Sequence, residues 1–207
     1  MKKLVYFTII FSFFTSCELM EIQPETVLTT DNFWITEDDA RAGVNSIYAP
    51  ILDAYKKYFL FWFEARSDNW YTSVGTTDAS NVQEVALNNI SSSMKPADWN
   101  DFYYAISRAN YALYFLPTMK IAENTKNHLI AESHFLRAKC YFDIVRLWGD
   151  APLITKPTLS LQDVDYPVRM DKDSILAQIK FDIQQSVLLA DKSKNDKFLF
   201  TYAEALT

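Results

Sequence analysis

The chain has 207 residues with 20 basic and 26 acidic side chains, and its formal charge of −6 excludes nucleic acid as the expected partner. Only 3 glycines occur, too few for a Gly-rich phosphate loop or a barrel of many tight turns, while aromatic residues reach 15%. That length suffices for one sizeable core or for a series of stacked helices.

Lys2 and Lys3 precede a largely apolar run, Leu4 to Phe14, broken only by Thr8 and Ser12 and followed by Thr15, Ser16 and Cys17. Charge, grease and small residues in that order make a secretory signal over residues 1–16. The run is about half of the ~20 apolar residues needed to cross a bilayer, so it does not span one. Phe14-Thr15-Ser16-Cys17 resembles the bacterial lipobox, with Phe14 where Leu is usual. That resemblance implies cleavage before Cys17 and acylation of its thiol with palmitate-type chains. Two or three such chains, at ~0.8 kcal/mol per buried CH₂, hold a domain on a membrane durably, and one does not. The alternative is an ordinary signal peptide with Cys17 incidental. Residues 17–30 then form the anchor and linker. Removing residues 1–16 takes away two lysines and no acid, which widens the acidic excess. The other cysteine is Cys140, so an acylated Cys17 leaves no intramolecular disulfide and stability rests on packing.

Thr36 followed by Glu37, Asp38 and Asp39 reads as a capped helix start, and Ala40, Val44, Ile47, Ile51 and Tyr55 continue at helical steps. The expected first helix is 37–57, closed by Lys56 and Lys57. Residues 58–96 show poor periodicity, with Trp62, Asp68, Asn69, Trp70 and Tyr71 among Ser, Thr and Asn; a loop of that length is functional or disordered, and its aromatics argue against pure disorder. A second helix starts near Ala97-Asp98, presents Phe102, Ile106, Ala109 and Leu113, and is interrupted by Pro117. A third covers roughly 126–148, with Ile130, His134, Ala138, Tyr141 or Phe142, and Val145 on its apolar side, until Gly149 and Pro152 stop it. Pro152, Pro157 and Pro167 make 151–170 an extended connection. A fourth helix, 171–190, carries Ile175, Ile179, Ile183 and Val187, and 201–207 looks like the first turns of another.

Glu132, Phe135, Leu136, Arg137, Ala138, Tyr141, Phe142, Gly149, Asp150, Pro152 and Leu153 within residues 131–155 closely resemble the recurring motif of the SusD/RagB family of surface glycan-binding lipoproteins. Ser133 stands where that motif has Ala. Asn32-Phe33-Trp34 before Glu37-Asp38-Asp39-Ala40, then Trp99, Tyr103, Ile106 and Asn110, then Arg169 leading into Ile175 and Asp182, resemble further segments of the same family in the same order. The resemblance implies an all-α fold of tetratricopeptide-like helical repeats with a long irregular loop. It covers the N-terminal half of a SusD-like protein, residues 31–207 forming a helical domain incomplete at its C-terminus, a truncated SusD-like fold. It also implies a lipid-anchored, surface-facing protein of the cell outer membrane that serves polysaccharide utilization, a TonB-dependent (SusC-like) transporter as partner, and no catalytic activity, cofactor or metal.

Sugars are held by stacking C–H faces on flat rings while amides and carboxylates take the hydroxyls, a set that Asp68, Asn69, Trp70 and Tyr71 supply within four residues. Trp70 is the expected platform, Tyr71 its assistant, Asn69 and Asp68 the polar contacts; the rival reading has Trp70 and Tyr71 plugging the core. Trp34, Trp99 and Trp148 belong to packing by their helical setting, and Trp62 is undecided. Glu132 and Arg137, five apart, suit bonds to neighbouring helices better than to each other. Glu64 and Asp68 have a glycosidase pair's chemistry but no spacing that fixes its geometry. His128 and His134 fall on different helix faces and make no metal site, and Cys140 is a small core residue. Oligosaccharide cargo is the first functional reading. Peptide cargo of the RagB type, a helical adaptor gripping a protein partner, and an enzyme are the rivals.

Overall fold

The computed structural model describes residues 33–69, 79–160, 162, 164 and 166–193. The signal peptide, Cys17, the 17–30 linker, Trp70, Tyr71 and the turn expected at 201–207 lie outside them. The described chain is helical, joined by one pair of two-residue strands.

Helix α1, Glu37–Asn45, opens as expected: Thr36 accepts from the Asp39 backbone N–H, and the Asp39 carboxylate accepts from Thr36 N–H at 2.7 Å. The bonds from Thr36 hold the Asp39 carboxyl below its ordinary value. The continuous helix expected over 37–57 is two helices, α1 and α2 (Tyr48–Phe59), with a break at Ser46 and Ile47. The physical reason is Pro50, which has no N–H to offer the Ser46 carbonyl and crowds it. That carbonyl instead accepts Nη1 of Arg108, and Pro50 sits in the first turn of α2, where proline is tolerated.

Helix α2 runs into a π-helical turn, Leu60–Glu64, closed by Ala65 N–H on the Leu60 carbonyl at 2.8 Å. Here too the structure corrects the reading of 58–96 as one irregular loop. A further helix, α3 (Ala79–Ala86), packs Val82 and Val85 on Ala65 with Phe61 alongside, a small apolar cluster of its own. Four residues are too few for a strong period in the sequence. A 3₁₀ turn, Lys95–Ala97, leads to α4, Asn100–Phe115, whose start is fixed by Asn100 N–H on the Asp98 carboxylate.

Helix α5, Glu123–Trp148, is the centre of the fold. It packs against α1, α4 and α6 (Lys172–Leu189), so its buried residues wrap its surface rather than form a stripe. Tyr141 is fully enclosed while Phe142 is 44% exposed, which decides between those two candidates. Gly149 then takes φ 73°, a value that disfavours any side chain, and ends the helix. In α6, Ile175 is buried, whereas Ile179, Ile183 and Val187 are half-buried and Asp182 takes the innermost position. Asp171 caps this helix by accepting from Ser174 N–H, and the same bonds hold its carboxyl below the usual range.

The connection from α5 to α6 is extended, as its prolines require, but its two ends pair: strand β1 (Ala151–Pro152) lies antiparallel to β2 (Arg169–Met170). At the end of β1 and beyond it, where the described residues supply no further strand partner, side chains satisfy the backbone. Tyr103 Oη donates to the Pro152 carbonyl at 2.7 Å, and Asn110 Nδ2 donates to the Ile154 carbonyl at 3.0 Å. Tyr141 Oη both donates to the Ile154 carbonyl and accepts its N–H, at 2.9 and 2.7 Å. Burial pushes both phenols well above their ordinary value.

Several polar groups hold α5 to its neighbours, Arg137 and Glu132 among them. Arg137 meets Asp182 of α6 with two parallel bonds, Nε to Oδ2 at 2.9 Å and Nη2 to Oδ1 at 2.6 Å, and reaches Asn110 of α4 through Nη1 at 2.7 Å. Burial alone would raise the Asp182 carboxyl, but bonds from His134 and Arg137 outweigh it and hold the group below its ordinary value. Glu132 accepts from Tyr48 Oη of α2. Both residues therefore reach neighbouring helices, as their five-residue separation predicts.

Candidate functional site

The π turn re-aims side chains at the end of α2, and its effect is local and large. The extra residue per turn carries Trp62 inward, to 7% exposure, while Phe61 turns toward α3. Trp62 stacks on Phe102 with ring centres 5.4 Å apart, and its Nε1 donates to the Pro96 carbonyl at 2.7 Å. Its buried N–H is thus satisfied, and the undecided Trp62 is a packing residue.

Trp148, at the end of α5, meets Trp62 edge-on at 5.6 Å and Trp99 at 5.9 Å. Trp99 and Trp148 are half-buried, and they do more than pack. Together with Trp62 they wall an open cavity of about 750 Å³, lined also by segment 90–100 and by Arg169 of β2. Such a volume suits a small ligand. The Arg169 guanidinium lies 5.4 Å from the centre of the Trp99 ring, a cation–π contact. Arg66 lines the same cavity and directs Nε and Nη2 onto Asn88 Oδ1, at 3.0 and 2.6 Å. Asn88 has φ 55°, the left-handed region that asparagine tolerates better than most residues.

Among the predicted site residues, Asp68 and Asn69 are exposed in the turn after the π helix. Trp70 and Tyr71 lie outside the described residues, as does Cys17. Glu64 and Asp68 are both exposed, the setting of ordinary solvated acids. Among the described residues no cluster of His, Cys, Asp and Glu is suited to a metal ion. Cys140 is enclosed, and burial pushes its thiol well up, away from nucleophilic chemistry. The cavity-lining roles of Trp99, Trp148, Arg66 and Arg169 are absent from the sequence reading. They come from segments up to about a hundred residues apart, and no spacing in the chain announces that they meet.

Fold and site define a class: a helical-repeat scaffold around one central helix, presenting an aromatic cavity beside an exposed polar turn. A family model described as "Starch-binding associating with outer membrane" matches residues 39–206, and the chain belongs to this SusD-like family. SusD-like protein P38 of Formosa agariphila is 32% identical over 174 residues, covering 83% of this chain and 34% of that protein. SusD-like protein P25 of the same organism is 33% identical over 193 residues, covering 87% and 36%. The chain therefore spans about a third of the length of the curated relatives it matches. Among solved structures, a laminarin-binding SusD-like protein superposes with a TM-score of 0.74 at 26% identity, over 83% of this chain and 38% of that one. A SusD-like protein from Bacteroides fragilis gives 0.72, also at 26% identity, over 84% and 34%.

Proposed function

We propose that this chain belongs to a lipid-anchored protein of the outer membrane that binds oligosaccharide at the cell surface and passes it to a TonB-dependent transporter. The observation that carries the reading is the match of residues 39–206 to a family described as starch-binding and outer-membrane-associated. A laminarin-binding neighbour and a surface glycan-binding neighbour from Bacteroides fluxus point to the same cargo class. Cys17 is the attachment point for the lipid. Trp70 is the stacking platform, with Tyr71 beside it and Asp68 and Asn69 as contacts to hydroxyls. The exposure of Asp68 and Asn69 supports that assignment. The protein binds and does not catalyse.

The test is isothermal titration of the full protein with laminari- and malto-oligosaccharides, and with a mixture of short peptides, repeated on Trp70→Ala. Saccharide binding lost in the variant with unchanged melting supports the reading. Binding of peptides alone assigns the cargo to peptide, and binding of neither leaves a helical adaptor. Trp70→Ala melting several degrees lower makes the ring a core plug, the result of a roughly 3 kcal/mol packing loss. Mass spectrometry of the mature N-terminus tests Cys17, and co-purification of a transporter with the affinity-tagged protein tests the delivery step.

A further inference from the structure

The tryptophan-walled cavity has a charge opposite to that of the chain. Of its described lining residues, Arg66, Lys95 and Arg169 are basic and Asp98 alone is acidic. Over the whole chain acids outnumber bases, 26 to 20. Asp98 is also committed, since its carboxylate accepts the Asn100 N–H that starts α4, at 2.9 Å. None of the three cations forms an ion pair among the described residues. Arg66 spends two N–H groups on the neutral oxygen of Asn88, which orients the guanidinium without neutralising it. Arg169 is held over the Trp99 ring, and no described acceptor takes its in-plane N–H groups.

A neutral sugar needs none of this charge. A guanidinium fixed by an aromatic face, with its fork of donors open, is the arrangement that receives a carboxylate or a sulfate through two parallel bonds. Trp62 contributes wall only, because its N–H is already bound to Pro96. Half-buried Trp99 and Trp148 supply apolar surface for the C–H side of a sugar ring.

We propose that this cavity is itself a binding site, built from residues other than Asp68, Asn69, Trp70 and Tyr71, and that it takes an anionic sugar unit bearing carboxylate or sulfate. Arg169 grips the acid group, Arg66 and Lys95 add to the positive field, and Trp99 and Trp148 hold the ring. The proposal rests on the glycan-binding reading, and it narrows the cargo to acidic polysaccharide.

The test is titration calorimetry of the full protein, at low and high salt, with oligogalacturonate, a sulfated galactan oligosaccharide, neutral laminari-oligosaccharides and inorganic sulfate. The expected result is binding of one of the acidic oligosaccharides, weakened by salt and reduced roughly tenfold or more in Arg169→Met. Arg169 is exposed, so the variant should melt like the parent, and Arg66→Met is the second variant if it does not. Neutral sugars bound equally by parent and variants, with acidic sugars refused, overturn the proposal and leave the glycan reading standing. Refusal of every saccharide overturns both. Inorganic sulfate bound as tightly as the oligosaccharide reduces the cavity to an anion site and overturns the proposal as well.

Discussion

Replacing Asp182 with alanine removes the one carboxylate that pairs with the Arg137 guanidinium among the described residues. Two parallel bonds of 2.9 and 2.6 Å disappear, and the charge stays behind at 4% exposure. The remaining contacts, Asn110 Oδ1 at 2.7 Å and the Thr155 carbonyl at 3.4 Å, are neutral and cannot compensate it. His134 Nδ1 loses its partner at 2.8 Å in the same step. Removing one member of a buried pair costs about 3–5 kcal/mol. For a chain of this size each kcal/mol moves the melting temperature by about 2–4 °C, so thermal unfolding followed by circular dichroism should fall by roughly 6–20 °C. The double variant Arg137→Met, Asp182→Leu removes charge and counter-charge together and should recover most of that loss, because a well-packed apolar pair matches a buried ion pair. A melting temperature for Asp182→Ala within two degrees or so of the parent would refute the assignment. So would a double variant no better than the single one, since the penalty would then not be the stranded charge.

Three further outcomes follow from the packing. The Asp182 carboxyl is held below its unfolded value, so its stabilisation is complete above about pH 3.9 and is lost as the pH falls through the lower folded value; urea midpoints measured between pH 7 and 2 should show a fall that is smaller in Asp182→Asn, the remainder coming from other lowered carboxyls such as Asp39 and Asp171. Gly43→Ala places a methyl 2.3 Å from Cη2 of Trp34, whose ring stacks on Phe115, and should cost about 1–3 kcal/mol by chemical denaturation, with the Trp34→Leu background relieving it. Tyr141→Phe strands the Ile154 N–H and leaves its carbonyl to Asn110 alone, for an expected loss of about 1–3 kcal/mol, and hydrogen exchange at Ile154 should accelerate.

The helices were legible wherever one face was apolar and the ends carried caps. Thr36 and Asp39, Gly149, and the acids that open α1 all act as their positions indicate. Reading failed at Pro50 because the hydrophobic period runs straight through it: Ile47 and Ile51 keep step across a break caused by one absent N–H. In α5 the period blurs for the opposite reason, since a helix packed against several neighbours keeps only scattered exposed positions to contrast with its buried ones. Helix α3 rests on two valines against Ala65, a signal too short to separate from loop sequence. The aromatic content is plain in the sequence, but the sequence places its rings by local setting alone. Trp99 and Trp148 look like packing residues along their helices, and only the meeting of the π turn, segment 90–100 and β2 makes them cavity walls.

Arg137 waits 45 residues for its carboxylate, because Asp182 lies on the next helix. While ribosomes extend the polypeptide, everything before residue 182 can assemble only by leaving that guanidinium hydrated or without its carboxylate, so α5 lacks this partner until α6 emerges. The bridge therefore closes only when α5 and α6 are both in place, and it ties the central helix to a neighbour that follows it in the chain.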